Sequence, residues 1–243
     1  MSSSNKHSVL EEQPAEDHQS CREKIKKRLQ KYDVGSRYTH IPLPKASVLL
    51  PLFIRQGKLH LLLTVRSMKL KTMPGDVCFP GGRREASDQD DVQTALREAN
   101  EEIGLCSEKV QIIGRLIPYI AKSPNYLITP VVGIVEDTFE AHPDPNEVTD
   151  VFLVPLEFFI SSDHYTPIPL NVPYFGLQNI HSFQYEDKQK KRVFKIWGLT
   201  AHFALMLAVM ILQRGPAFNC DYDLQSTLTG CEIALLGSHQ SKL

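Results

Sequence analysis

The chain has 243 residues, 42% hydrophobic and 23% charged, with a formal net charge of −1. That is enough apolar material for one good core and too balanced a charge for a broad nucleic-acid footprint, so no nucleic-acid partner is expected and the ligand should be small. Five cysteines (Cys21, Cys78, Cys106, Cys220, Cys231), an odd number without a C-x-x-C pair, argue against a disulfide framework or a zinc site.

Residues 1 to about 20 are polar and read as disordered, without the apolar stretch of a signal peptide, and the basic run Cys21 to Tyr32 reads as a short solvated helix. From Ser47 the texture changes. SVLLPLF, the turn RQGK and LHLLLTVRS predict a hairpin with one buried face. A loop from Met68 to Asp91 follows, carrying Pro74, Gly75, Pro80, Gly81 and Gly82, and a loop this long in a compact domain implies function. Asp90 or Asp91 then caps a helix whose apolar positions Val92, Ala95, Leu96, Ala99 and Ile103 repeat at helical spacing, and Gly104 suits its C-terminal cap.

VQIIGRLI, LITPVVGIV and VFLVPL read as further strands. HSFQYE and RVFKIW flank the charged turn DKQKK as a second hairpin, and Gly198 to Gln213 as a strongly apolar helix in which His202 is packed. Its longest apolar run, Ala201 to Leu212, is too short to span a bilayer, so a soluble protein without a membrane span is expected. Strands on either side of one charged helix, closed by an apolar one, predict an α/β fold with the sheet sandwiched between helices. The expected division is a polar extension over 1–35, a catalytic domain over 36–215 and a tail over 216–243. That tail ends in Ser241-Lys242-Leu243, a tripeptide that an import receptor reads at a free C-terminus as a peroxisomal address.

The chemistry concentrates on the charged helix. At about 100° per residue, Glu98, Glu101 and Glu102 fall within an arc of roughly 100° opposite the apolar stripe. Three acids on one face repel by a few tenths of a kcal/mol per pair and would suit a solvated surface, but they also form a set of hard oxygen ligands for Mg2+ or Mn2+. Such ions act with a phosphate-bearing partner. Gly81 and Gly82 let the loop backbone come close to a metal or a diphosphate.

Arg97-Glu98-Ala99-Asn100-Glu101-Glu102-Ile103-Gly104-Leu105, preceded by Phe79-Pro80-Gly81-Gly82, resembles the signature box of the Nudix hydrolases, G-x5-E-x7-R-E-U-x-E-E-x-G-U. The upstream Leu62-Leu63-Thr64-Val65-Arg66-Ser67, with Lys71 and Gly75, is similar to the signature of that family's coenzyme A branch, Lys71 standing where an arginine is expected. PNEVTDVFLVPL and IWGLTAHFALML also look like later parts of these enzymes. The resemblance implies a Nudix-type α/β/α sandwich with a mixed sheet and a metal-dependent hydrolase that cleaves coenzyme A and acyl-CoAs at the diphosphate. It implies Glu98 and Glu102 as primary metal ligands, Glu101 as ligand or base, and Arg97 as the residue that orients them. It also implies that Arg66, Ser67, Lys71, Gly81 and Gly82 face the substrate. The loop acid is open between Glu85 and Asp88, because Asp88 lies six residues after Gly82 and nine before Arg97, one more than the box allows. For the general base, Glu101 ranks ahead of Glu147 of the PNEV turn. NADH or ADP-ribose as substrate, and a catalytically silent nucleotide-binding module, are the competing readings.

Overall fold

The computed structural model describes residues 18–122, 125–172, 176–218, 220 and 222–240, and the terminal Ser241-Lys242-Leu243 signal lies outside them. Helix α1 (His18–Leu29) leads into strand β1 (Lys45–Arg55), which turns through Gln56 and Gly57 into β2 (Lys58–Arg66). Both turn residues have positive φ, 52° and 70°, the backbone twist that a two-residue hairpin requires.

Beyond that turn the two strands part company, and the parting builds the site. Only the end of β1 pairs with the start of β2, from Leu52↔Leu61 to Arg55↔Lys58. The glycine-rich loop fills the opening: its β3 (Val77–Cys78) pairs with the far half of β2 at Thr64 and Val65, and its β4 (Gly81–Arg83) pairs with the near half of β1 at Ala46 to Val48. The stretch expected as irregular loop thus contributes two short strands. Helix α2 (Asp91–Ile103) follows directly.

Strands β5 (Val110–Arg115) and β6 (Tyr119–Lys122) both pair antiparallel with β7 (Asn125–Val135), which runs parallel to β1. β8 (Val148–Pro155) pairs with the free edge of β2. The sheet is therefore mixed. β9 (Ile168–Val172) and β10 (Gly176–Ile180) form a small hairpin, and β11 (Ser182–Asp187) with β12 (Arg192–Trp197) form the expected one. Helices α3 (Gly198–Leu212) and α4 (Leu224–Gln240) end the described chain.

The core has two parts, one on each side of the sheet. On one side Ala95, Ala99 and Ile103 of α2 meet Leu49, Phe53 and Val131. On the other, α3 meets Leu50, Leu52, Leu63 and the aromatic residues of β8, β11 and β12. The architecture is the α/β/α sandwich. Strands β1 and β2 are buried on both faces, not one, because they sit at the centre of the sandwich. The basic helix α1 is also less solvated than its charge predicts: Ile25 and Leu29 are buried, and Arg28 donates to the Ile211 carbonyl at the end of α3 (2.7 Å). The expected tail carries a helix, α4, whose Leu235 is buried and whose Glu232 accepts from Tyr38 (2.9 Å). Among the described residues no helix is long and apolar enough to cross a membrane.

Candidate active site

The ends of α2 are set locally. Asp90 accepts the Gln93 N–H at 2.9 Å as N-cap, and Gly104 closes the helix with φ 71°. The helix then lies across β4 so closely that a Cβ on Gly82 would stand 2.3 Å from a Glu98 carboxylate oxygen. A Cβ on Gly81 would meet the Ser47 carbonyl at 2.4 Å. Gly81 is thus required by the approach of strand to strand, whereas a side chain at Gly82 would push the Glu98 carboxylate from its place.

Arg97 is the hub of one half of the site. It donates to both oxygens of Asp88 (3.0 Å each), to the Arg83 carbonyl (2.9 Å), to Glu98 (3.2 Å) and to Glu101 (2.9 Å). Asp88 also accepts from the Glu85 N–H (2.9 Å) and the Thr94 hydroxyl (3.0 Å). The hydrogen bonds from Arg97 hold the Asp88 carboxyl down to about 2. Of the two loop acids, Asp88 is enclosed and bidentate on Arg97, whereas Glu85 is exposed and 3.9 Å away. The additional residue in the loop is absorbed without losing the arginine-acid pair.

Glu102 is the centre of the other half. Its residue is 5% exposed and its Oε2 has no hydrogen-bond partner. Burial, reinforced by the charges of Glu98 and Glu147, pushes its carboxyl up to about 8, against a smaller opposing pull from Arg66 and a hydrogen bond from the Gly81 N–H. Glu98 is raised too, chiefly by burial, with Glu101 and Glu147 adding to the rise. Arg66 bonds the Thr72 carbonyl through Nε (3.2 Å) and also reaches the Cys78 thiol, which burial raises to about 11 and leaves unreactive.

The predicted residues therefore divide. Glu98, Glu102, Arg66, Gly81 and Gly82 meet at one place. Glu101 is half-exposed and turned to Arg97. Lys71 is exposed on the loop after β2, and Ser67 is buried with its hydroxyl donated to the Pro145 carbonyl (3.1 Å). Glu147, weighed only as a second-choice base, lies near enough for its charge to act on Glu98 and Glu102, and its turn over 144–148 is bonded to the end of α2, Asp144 N–H to the Glu102 carbonyl (3.0 Å). Nothing in local sequence spacing announces that this turn comes to the end of α2.

Among the described residues no three acidic, imidazole or thiol side chains already stand as a metal cage. Glu98 and Glu101 lean on Arg97 and spread the acids apart. The residues nevertheless fit a divalent cation: a buried carboxylate oxygen without a partner, beside two further carboxylates that repel it, lacks positive charge.

Residues 43–169, just over half of the chain, match the NUDIX domain. The chain belongs to the Nudix hydrolase family. This Nudix hydrolase is 44% identical over 212 residues to the peroxisomal coenzyme A diphosphatase of Mus musculus, covering 87% of this chain and 89% of the relative. It is 40% identical over 178 residues to the mitochondrial Nudix hydrolase 15 of Arabidopsis thaliana, covering 72% of this chain and 61% of that one. It is also 40% identical over 169 residues to the uncharacterized Nudix hydrolase NudL of Photorhabdus laumondii, 68% of this chain and 84% of the relative. Nudix hydrolases are pyrophosphohydrolases that need divalent metal ions.

Proposed function

We propose that this Nudix hydrolase attacks the diphosphate linkage of coenzyme A and of acyl-CoAs with water, giving 3',5'-ADP and 4'-phosphopantetheine or its acyl form. The observation that carries the reading is the acid-rich corner around Glu102, with its unpartnered oxygen beside the Gly81-Gly82 strand. The choice of coenzyme A is supported by the Arg66-to-Gly82 signature and by the name of the Mus musculus relative.

Glu98 and Glu102 are the residues to hold Mg2+ or Mn2+, which when bound would neutralise diphosphate oxygens and acidify a water. Glu147 is preferred over Glu101 as the acceptor of the water's proton. Its charge acts on both Glu98 and Glu102, while the Glu101 carboxylate is engaged by Arg97. Arg97 keeps Glu98 oriented and is itself fixed by Asp88. Arg66 faces the substrate phosphates beside Glu102, with Lys71 a second cation on the loop that follows β2. Gly81 and Gly82 leave the floor of the site free of side chains. Delivery to the peroxisome through Ser241-Lys242-Leu243 and an import receptor completes the proposal.

The test is product analysis after incubating the purified protein with coenzyme A, an acyl-CoA and NADH, with and without divalent metal. The expected result is metal-dependent release of 3',5'-ADP from both CoA substrates. Faster turnover of NADH to AMP would overturn the substrate assignment, and turnover in the presence of a strong chelator the metal assignment. For location, the tagged chain lacking its last three residues should stay in the cytosol.

A further inference from the structure

We propose that Arg83 selects the substrate by taking the 3'-phosphate of coenzyme A on the N–H donors of its guanidinium, a phosphate that NADH and ADP-ribose lack. The inference rests on coenzyme A being the substrate, as proposed above. Position 83 is one that the family box leaves open after Gly82, so it can differ between enzymes that share the metal chemistry and act on different diphosphates.

Most cations around the glycine floor already have acceptors within the protein. Arg97 is bonded to Asp88, Glu98 and Glu101. Arg84 donates to the carbonyls of Asp88 (3.2 Å) and Gln89 (2.6 Å), Lys45 to that of Ile41 (2.9 Å) and Arg66 to that of Thr72 (3.2 Å). Arg83 differs. Its side chain is exposed and has no carboxylate or carbonyl acceptor among the described residues. Lys71, which is also exposed, stands on the loop after β2, whereas Arg83 stands on β4 against β1, so the two are carried by different strands of the divided hairpin.

Although exposed, Arg83 is held in place. Its backbone pairs with Ala46 in the ladder between β1 and β4, and its carbonyl accepts a hydrogen bond from Arg97 (2.9 Å). Its guanidinium carbon lies over the Tyr126 ring of β7, 5.1 Å from the ring centre. The ring attracts the cation without using up its fork of N–H donors, and that fork matches a phosphate in bidentate fashion. Gly82 borders Glu98, and successive residues of a strand point to opposite faces, so Arg83 leaves β4 on the face turned away from α2. Its charge therefore stands beside the metal corner and not in it. In coenzyme A the 3'-phosphate is likewise separated from the diphosphate by the ribose and is untouched by the reaction. A cation at this place adds binding energy that is equal in ground state and transition state.

The experiment measures kcat and KM of wild type, Arg83→Gln and Arg83→Lys on coenzyme A and on 3'-dephospho-coenzyme A at saturating metal, with thermal unfolding as a check on the fold. Wild type should show a KM about 10- to 100-fold higher for the dephosphorylated substrate, the range of a lost charge-assisted pair. Arg83→Gln should raise KM for coenzyme A by a similar factor, keep kcat within about twofold and leave KM for the dephosphorylated substrate where it was. Arg83→Lys should fall between the two, since it retains the charge and loses the planar fork. A wild-type enzyme indifferent to the 3'-phosphate, equal losses on both substrates, or an Arg83→Gln enzyme that discriminates as wild type does would each overturn the role of Arg83 and leave coenzyme A as the substrate. Turnover of neither CoA substrate would instead sink the substrate reading, and this inference with it. Should the glutamine variant not fold, the lysine variant is judged by the same comparison of substrates.

Discussion

Helices α2 and α3 are close in length, 13 and 15 residues, and use their surfaces in opposite ways. α3 buries nine side chains around its circumference, among them Phe203, Leu205 and Met206, and has no side-chain cap. α2 buries a narrow apolar stripe of mostly small residues, Thr94, Ala95 and Ala99 with Ile103, and carries five charged side chains, of which Asp91 and Glu102 are buried. A bulkier stripe would lift α2 off Gly82, so this helix relies on its caps and on the Asp88–Arg97 pair for what α3 obtains from apolar burial. Stability and chemistry are thereby lodged in different layers of the sandwich.

Glu102→Gln should separate the two most sharply. Losing a metal-binding carboxylate is expected to reduce kcat/KM on the order of 10³-fold, several kcal/mol of transition-state stabilisation. The same change should leave the metal-free protein as stable as wild type or more so above neutral pH, since a buried charge is removed; a lowered Tm at pH 8 would contradict this. Phe203→Ala in α3 should do the reverse, costing about 3–5 kcal/mol in denaturant unfolding while the folded fraction keeps its turnover. Arg97→Leu is the variant that blurs the contrast. It leaves Asp88 enclosed without its cation, a loss of about 3–5 kcal/mol, and frees Glu98 from its orienting bond, so stability and kcat should fall together.

The pH dependence of the metal-free protein reports on Glu102. Its folded carboxyl at about 8 lies above the ordinary value of 4.5, so protonated Glu102 favours the folded state. That contribution is complete below about pH 4.5 and is lost as pH rises through 8. Tm measured with chelator should therefore fall across this window, and Glu102→Gln should flatten the fall. Asp88 acts at the other end, its contribution present above 3.8 and lost as pH drops toward 2. The smallest effect is expected at the cap: Asp90→Ala should cost about 1 kcal/mol, plus whatever its pairing with Arg115 adds, with kcat nearly unchanged.

The extent of legibility follows the range of the forces involved. Periodicity and end signals sufficed for α2, because an apolar stripe and two caps are written within the fifteen residues from Asp90 to Gly104. Hairpins β1–β2 and β11–β12 were readable for the same reason. α4 was not, since Gly230, Gly237 and the run Ser226-Thr227 dilute its helical pattern, and its place is set by Leu235 and Glu232 meeting distant partners. The carboxylates of α2 were legible as a set, their division was not. Glu101 turns to Arg97 and Glu102 into the interior because of where α2 rests on β4.

By itself the amino-acid order determined helices α2 and α3, the hairpins β1–β2 and β11–β12 and the acid-bearing face of α2, since each depends on neighbours a few residues apart. Only the tertiary structure decided that β1 and β2 diverge to admit β3 and β4, that Asp88 rather than Glu85 holds Arg97, and that the turn carrying Glu147 is bonded to the end of α2 at Glu102. Those outcomes depend on burial and on charge at contact distance, and both arise only when segments far apart in the chain are pressed into one low-dielectric place.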